Sequence, residues 1–335
     1  MFSCAGRRVA LMNAFRRAMA ELNVSGRLIS TDITRSSAAF HLADLGLIVP
    51  KVADEAYIPT LMDYVRRHEV GLLVPLTDLD LLLLARHRDA FAREGCMVMI
   101  GSEEMVEICR DKSKTAELFT RAGLAAIPTL PLETFLKNPF YPCFVKPVAG
   151  SAGVGSAIIQ SPAQMKVHIA AFGEELIAQE YVPGREFTID VYRSRDGRVR
   201  CVVPRQRLVV RSGEVEKGIT INDEGLIQSA IRLAGAMGDL WGVFCCQCRM
   251  QNIPGAQPQF FEINPRFGGG ATLSVAAGAN LPLYLLQEVL SLPITAKLGE
   301  FTDYLLLLRY DNAVFVRIDQ KDLKDMPGAK TPYFR

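Results

Sequence analysis

Glu262 and Asn264 stand two positions apart in the run Phe261-Glu262-Ile263-Asn264-Pro265-Arg266, with Phe267 and Gly268 to Gly270 behind it. The run reads as a short apolar strand. Strand side chains alternate with period two, so both oxygen-bearing side chains fall on one face. Two oxygen ligands on one face, with an arginine just beyond, suit a magnesium ion that bridges nucleotide phosphates. Pro265 then breaks the strand, and the glycines let backbone come close to a ligand. In isolation the run also reads as an ordinary core strand with solvated ends.

Two further blocks carry chemistry. Phe144-Val145-Lys146-Pro147 puts a lysine on an apolar strand, where an unpaired charge is costly; a phosphate would supply the partner. Behind it, Gly150-Ser151-Ala152-Gly153-Val154-Gly155-Ser156 is neither a Walker A loop nor G-x-G-x-x-G. Its small residues suit a flap whose backbone N–H groups fold over phosphates, though an ordinary hairpin fits as well. The other block is Ala178-Gln179-Glu180-Tyr181-Val182-Pro183-Gly184-Arg185-Glu186-Phe187. It places two glutamates around a Pro-Gly turn; each alone also reads as a solvated strand residue.

These blocks, in this order, resemble the ATP-grasp superfamily, and in it the carbamoyl phosphate synthetase large-subunit type and relatives such as the pyrrolysine-biosynthesis ligase. The resemblance runs over roughly residues 3–310. It implies a Rossmann-like preceding domain followed by a two-lobed ATP-grasp fold, a mixture of α/β and α+β. It implies ATP and two magnesium ions, with manganese as a substitute. Gln247, Glu262 and Asn264 match the family's metal ligands, the glutamine standing where many relatives carry an acid. Arg266 would stabilise charge on the transferred phosphoryl group. Glu180 would lie near the adenine amino group, with backbone of Tyr181 and Val182 on the adenine edge and Glu186 on the ribose hydroxyls. Lys146, Gly150, Ser151, Gly153 and Gly155 would meet phosphates. Lys112 matches the family's first cation, in competition with Lys114 and Arg110.

The implied reaction is ATP-dependent ligation. A small-molecule carboxylate attacks the γ-phosphate, ADP leaves, and an amine or thiol attacks the acyl phosphate. The usual product has a new carbon–nitrogen bond. A bicarbonate-using synthetase and a non-catalytic ATP-binding regulator stand as alternatives. The chain carries one half of the full synthetase and no glutaminase motif, so carbamoyl phosphate is not expected from it alone. A dinucleotide oxidoreductase would need G-x-G-x-x-G after the first strand, which Ser3 to Arg8 does not provide.

Other polar residues give open readings. Arg205 and Arg207 share a strand face and can hold a substrate carboxylate or the γ-phosphate; Lys217 is a further candidate, and a solvated edge strand fits equally. Asp78 and Asp80 can bind a substrate amine, although a helix N-cap at Asp78 is the simpler reading. The four histidines have no catalytic spacing and read as surface residues. Cys245 and Cys248 form a C-x-x-C with no second pair, which reads as core packing rather than zinc.

The elements that position these groups follow from periodicity. Residues 1–105 alternate apolar strands (27–32, 47–50, 72–76, 97–101) with helices, which predicts a parallel sheet. Only Met1 and Phe2 stand where a full first strand is expected, which suggests that residues precede the turn at Ser3 to Arg8; that turn itself is a weak anion-site candidate. A helix is expected over 105–122 and another over 79–94. Residues 106–182 form the lobe with the glycine-rich flap, 183–310 the lobe with the metal site, and 311–335 a polar tail. A hairpin is expected between 244–250 and 259–264. At 335 residues, 49% hydrophobic and 22% charged, the chain is long enough for two or three cored lobes. A net charge of +2 gives no case for nucleic acid or an anionic membrane. No apolar run approaches a transmembrane length, and eight scattered cysteines fit a reduced, cytoplasmic protein. A homodimer is the base expectation.

Overall fold

The computed structural model describes residues 1–148, 155–211, 213–319 and 326. The chain forms two compact units. The first comprises Met1–Glu103, Asn280–Ala296 and Tyr310–Arg335; the second comprises Glu104–Ala279 and Lys297–Arg309.

The first unit holds a five-stranded, wholly parallel sheet in the order β3-β2-β1-β4-β5. Its strands are β1 (Phe2–Ser3), β2 (Ile29–Asp32), β3 (Leu45–Ile48), β4 (Leu72–Pro75) and β5 (Met97–Val98). Its helices are α1 (Val9–Glu21), α2 (Ala38–Leu42), α3 (Tyr57–His68), α4 (Leu81–Arg86) and α5 (Arg88–Arg93). The single helix expected over 79–94 is two, and its N-cap position is Asp80, not Asp78. The Asp80 side chain makes no capping bond: it is buried and accepts from Tyr57 Oη at 2.9 Å. Burial raises its pKa above the usual carboxylate value.

In the second unit, α6 (Glu103–Arg110) and α7 (Lys112–Arg121) replace the continuous helix expected over 105–122. The break is Asp111. Its backbone is extended, and its carboxylate accepts from the N–H groups of Ser113 and Lys114. A short polar side chain that satisfies a new helix N-terminus ends the previous helix. Next come β6 (Ala125–Ala126), β7 (Thr129–Pro131), α8 (Leu132–Lys137), β8 (Cys143–Pro147), β9 (Ala157–Ile159), α9 (Pro162–Phe172) and β10 (Leu176–Glu180). Strands β7-β10-β8-β9 make a small antiparallel sheet with its own core of Phe135, Val145, Ile159, Met165 and Leu176.

The large sheet has the order β16-β13-β12-β11-β14-β15-β6. It is built from β11 (Arg185–Arg193), β12 (Val199–Arg211), β13 (Glu214–Thr220), β14 (Gly242–Met250), β15 (Gln259–Asn264) and β16 (Leu306–Leu308), with α10 (Glu224–Ala236) between β13 and β14 and α11 (Ala271–Ala276) after β15. The hairpin of β14 and β15 forms as expected. One face carries Phe187, Ile189, Val191, Val202, Phe244 and Cys246, packed against α10 and α7. Period-two alternation then puts the polar residues of the same strands on the opposite face. Helix α12 (Leu281–Val289), expected with the metal lobe, belongs to the first unit and packs against α1.

Candidate functional site

The polar face of the large sheet gathers residues from four adjacent strands. Antiparallel register sets Glu186 of β11 opposite Arg207 of β12 and Arg249 of β14. Thr188 lies between Arg205 and Gln247, and Gln247 lies opposite Glu262. Directly opposed residues on one face have Cβ atoms about 5 Å apart, so these side chains can share a ligand.

The three oxygen donors are already hydrogen-bonded to protein. Gln247 Oε1 accepts from Arg207 Nη1 at 2.9 Å. Glu262 Oε1 accepts from Asn264 Nδ2 at 2.8 Å, and Asn264 Oδ1 accepts from Arg266 Nη2 at 3.2 Å. Arg266 also donates to the Phe267 carbonyl. Glu262 is half-buried, and its other carboxylate oxygen accepts no hydrogen bond among the described residues. One carboxylate and two amide oxygens on one face fit a hard divalent cation that takes its remaining ligands from water and phosphate.

Lys146 of β8 is 7% exposed and makes no hydrogen bond or ion pair among the described residues. Its ammonium stands 5.3 Å from the centroid of the Phe261 ring. Burial lowers its pKa to about 8, against the pull of Glu262; Lys112 lowers it further and Glu186 opposes. A buried, unpaired ammonium needs an anion to offset its desolvation. Lys112, at the start of α7, reaches the Val148 carbonyl with its Nζ at 2.7 Å, whereas Lys114 is exposed.

Glu186 is held by two arginines, with 3.2 Å to Arg207 Nη1 and 3.6 Å to Arg249 Nη1. Arg207 Nη2 also donates to the Gly213 carbonyl. The Arg249 guanidinium lies 5.8 Å from the Tyr181 ring centroid. Glu180 is exposed at the end of β10, Tyr181 is half-buried and Val182 is buried. Gly155 has φ of +69°, a conformation that favours glycine. Gly150, Ser151 and Gly153 lie outside the described residues.

One expected anion ligand is not placed for that work. Arg205, 1% exposed, gives Nε and Nη2 to Asp190 at 2.7 and 2.8 Å, and Ser274 Oγ donates to the same carboxylate at 2.6 Å. Lys217 is exposed on β13, with Val209 and Leu308 as register partners. The glycines after β15 serve this buried pair. A Cβ on Gly270 would meet Arg205 Nη1 and lie 2.6 Å from Val215, and one on Gly268 would lie 3.3 Å from Asp190 Oδ1.

Several residues were missed from the sequence. Asp190 stands in the apolar run Phe187 to Tyr192; a buried acid requires a partner, and that signal was available. Arg249 alternates with Gln247 on β14, so the same face argument finds it. His168, expected on the surface, is buried and donates from Nε2 to the Gly155 carbonyl at 3.0 Å. Arg309 ties the glycine run to β13: it donates to the Gly269 carbonyl and pairs with Glu214 at 2.7 Å. Cys245 and Cys248 are free and buried, and burial raises both thiols. Among the described residues no helix is long and apolar enough to cross a membrane.

Comparisons with known proteins agree with this architecture. Residues 1–99 match the family model described as PylC-like, N-terminal domain. Residues 172–306 match the model described as ATP-grasp in the biosynthetic pathway with Ter operon. The search of curated proteins gives no match. Among solved structures, the chain is similar to an L-amino acid ligase from Bacillus licheniformis, with TM-score 0.71 and 17% identity over 90% of this chain and 76% of that one. It is similar to N5-carboxyaminoimidazole ribonucleotide synthetase from Thermus thermophilus, with TM-score 0.69 and 19% identity over 89% and 79%. It is also similar to biotin carboxylase from Campylobacter jejuni, solved as a complex with β,γ-ATP, with TM-score 0.69 and 18% identity over 90% and 73%. At these identities the likeness is one of fold.

Proposed function

With an ATP-grasp domain following a PylC-like N-terminal domain as the premise, we propose that this chain is an ATP- and magnesium-dependent ligase that joins a small-molecule carboxylate to an amine or thiol through an acyl phosphate. The single observation that carries this reading is Lys146, a buried ammonium over the Phe261 ring with no hydrogen-bond or ion-pair partner among the described residues, in the field of Glu262. It awaits an anion beside a set of oxygen donors suited to a divalent cation.

The roles follow from position. Lys146 and Lys112 hold phosphates. Gln247, Glu262 and Asn264 hold the metal, which neutralises charge on the phosphates when bound. Arg266 lies one turn of chain beyond Asn264 and meets the transferred phosphoryl group. Val182 and Tyr181 form one wall of the adenine slot, and Glu186, fixed by Arg207 and Arg249, presents acceptors to the ribose hydroxyls. Arg205 leaves the proposed ligand set because Asp190 occupies its fork. Arg207 stays in it because it already bonds Gln247. Most of the work is positioning and charge neutralisation, as phosphoryl transfer requires.

The test is release of ADP and phosphate from ATP and magnesium across a panel of amino acids and small carboxylates, with Glu262→Ala as the control. Bicarbonate belongs in the panel, because one similar structure, a 2-oxoglutarate carboxylase domain, was solved with MgADP and bicarbonate. Turnover that requires one acid–nucleophile pair and vanishes in the variant establishes the ligase. Nucleotide binding with no turnover for any pair favours a non-catalytic ATP-binding regulator.

A further inference from the structure

Each side-chain oxygen proposed for the metal, other than one of Glu262, already accepts a hydrogen bond from protein, and two of the three donors are guanidinium groups. Arg207 Nη1 holds Gln247 Oε1 at 2.9 Å and Arg266 Nη2 holds Asn264 Oδ1 at 3.2 Å. A divalent cation bound to those oxygens would stand within a few ångströms of two positive charges. Coulomb repulsion at that range is strong in a half-buried site. The cation and these hydrogen bonds therefore compete.

We infer that Arg207 and Arg266 are place-holders for the metal, and that the metal and an anionic ligand enter by one exchange. The metal takes the amide oxygens, and each displaced guanidinium takes an oxygen of the incoming phosphate or carboxylate. This rests on the metal reading proposed above. Arg207 is a lock with further contacts. Its side chain is 9% exposed, and it also binds Glu186 Oε1 and the Gly213 carbonyl, so its release costs several contacts. Its Nε is buried without a hydrogen-bond partner, so the group is incompletely satisfied where it stands. A neutral glutamine suits the lock: an arginine releases an amide oxygen more readily than it releases a carboxylate, because a charge-assisted bond between two ions is the stronger. The consequence is thermodynamic coupling: metal alone binds weakly, anion alone binds weakly, and each strengthens the other by the same factor.

The experiment measures Mn2+ binding to the full chain by the electron paramagnetic resonance signal of the free ion, with and without ADP, for wild type and Arg207→Met. Without nucleotide, R207M is expected to bind Mn2+ about tenfold more tightly, the scale of one charge-assisted hydrogen bond removed. The factor by which ADP strengthens Mn2+ binding is expected to shrink in the variant. Equal or weaker Mn2+ binding by R207M without nucleotide overturns the proposal. If R207M does not fold, Arg207→Lys decides, because one ammonium cannot hold Gln247, Glu186 and Gly213 together; the same sign is expected at smaller size, and no change overturns it. If no protein binds Mn2+ even with ADP, the metal reading itself falls, a result separate from failure of the lock.

Discussion

Arg205 and Asp190 form a two-pronged ion pair, at 2.7 and 2.8 Å, with side chains 2% and 0% exposed. The pair spans the β11–β12 step at the foot of the site and takes a further hydrogen bond from Ser274 on α11. It therefore fastens α11, the helix that follows β15, to the sheet. Removing one partner strands the other as a buried charge. Arg205→Ala is expected to cost ~3–5 kcal/mol in denaturant unfolding. Arg205→Lys is expected to recover only part of that, because an ammonium cannot match the carboxylate with two parallel bonds.

The glycines above this pair make a sharper test. A Cβ on Gly270 would collide with Arg205 Nη1 and Val215, whereas one on Gly235, in the last turn of α10, would meet nothing. Gly270→Ala is expected to destabilise by ~1–3 kcal/mol. Gly235→Ala is expected to stabilise by ~0.5–1 kcal/mol through helix propensity. Thermal melting of the two variants checks both signs.

Lys146 gives a pH dependence whose sign is fixed. Its ordinary value is 10.5, and burial lowers it to about 8. Between those values the unfolded chain holds a proton that the folded chain has lost, so stability is expected to rise with pH across that window. Nucleotide affinity runs the other way. It needs the ammonium, so it is level below about pH 7 and falls as pH rises through about 8. Titration of ADP binding by calorimetry from pH 6.5 to 9.5 (roughly one and a half units either side of the shifted value) reads this directly. Lys146→Arg, always charged, is expected to abolish the break; an unchanged break assigns it to another group.

Asp80 in the first unit shifts the opposite way. Its folded pKa lies above the ordinary 3.8, because burial opposes ionisation and Asp78 adds like charge. Below 3.8 both states are protonated and the group costs nothing. As pH rises the unfolded chain ionises first, so stability is lost. Asp80→Asn keeps an acceptor for Tyr57 and carries no charge. It is expected to melt higher than wild type at pH 7 and to show a flatter stability profile as pH rises above about 4.

Much of the site was legible because it obeys strand alternation. Glu262 and Asn264 share a face by spacing alone, Lys146 stands out as a charge in an apolar strand, and Gln247 sits where the β14–β15 hairpin opposes Glu262. The parallel sheet of the first unit was legible from its apolar runs. What was not legible depends on partners distant in sequence. Arg205 was read as an anion ligand because its partner Asp190 lies on another strand, and only the register brings the two together. The polar run Arg110 to Thr115 interrupts the apolar period, but it reads equally as a solvated stretch of one helix; only the Asp111 cap on Ser113 and Lys114 makes it a break. His168 looks like any helix histidine until α9 is packed against Gly155. Helix α12 was assigned by proximity in sequence, whereas its apolar face belongs with α1.

The small sheet joins the large one through two short pieces of chain. Residues 127–128 lead from β6 to β7, and residues 181–184 lead from β10 to β11. Ile127 is bonded to Phe260, and Gly184, at φ of +117°, is packed against Gln251, so both pieces are anchored on the large-sheet side. Two such anchors leave rotation about the line through them as the softest relative motion of the two sheets, the geometry of a hinge. Lys146 stands opposite Ile177, three residues along β10 from Glu180, or roughly 10 Å along the strand. Under the proposed function, a nucleotide with its adenine against Tyr181 and Val182 would have its base beside that line and its phosphates near Lys146, away from it. Any rotation about it would then leave the base in place and carry Lys146 across the end where bonds are exchanged.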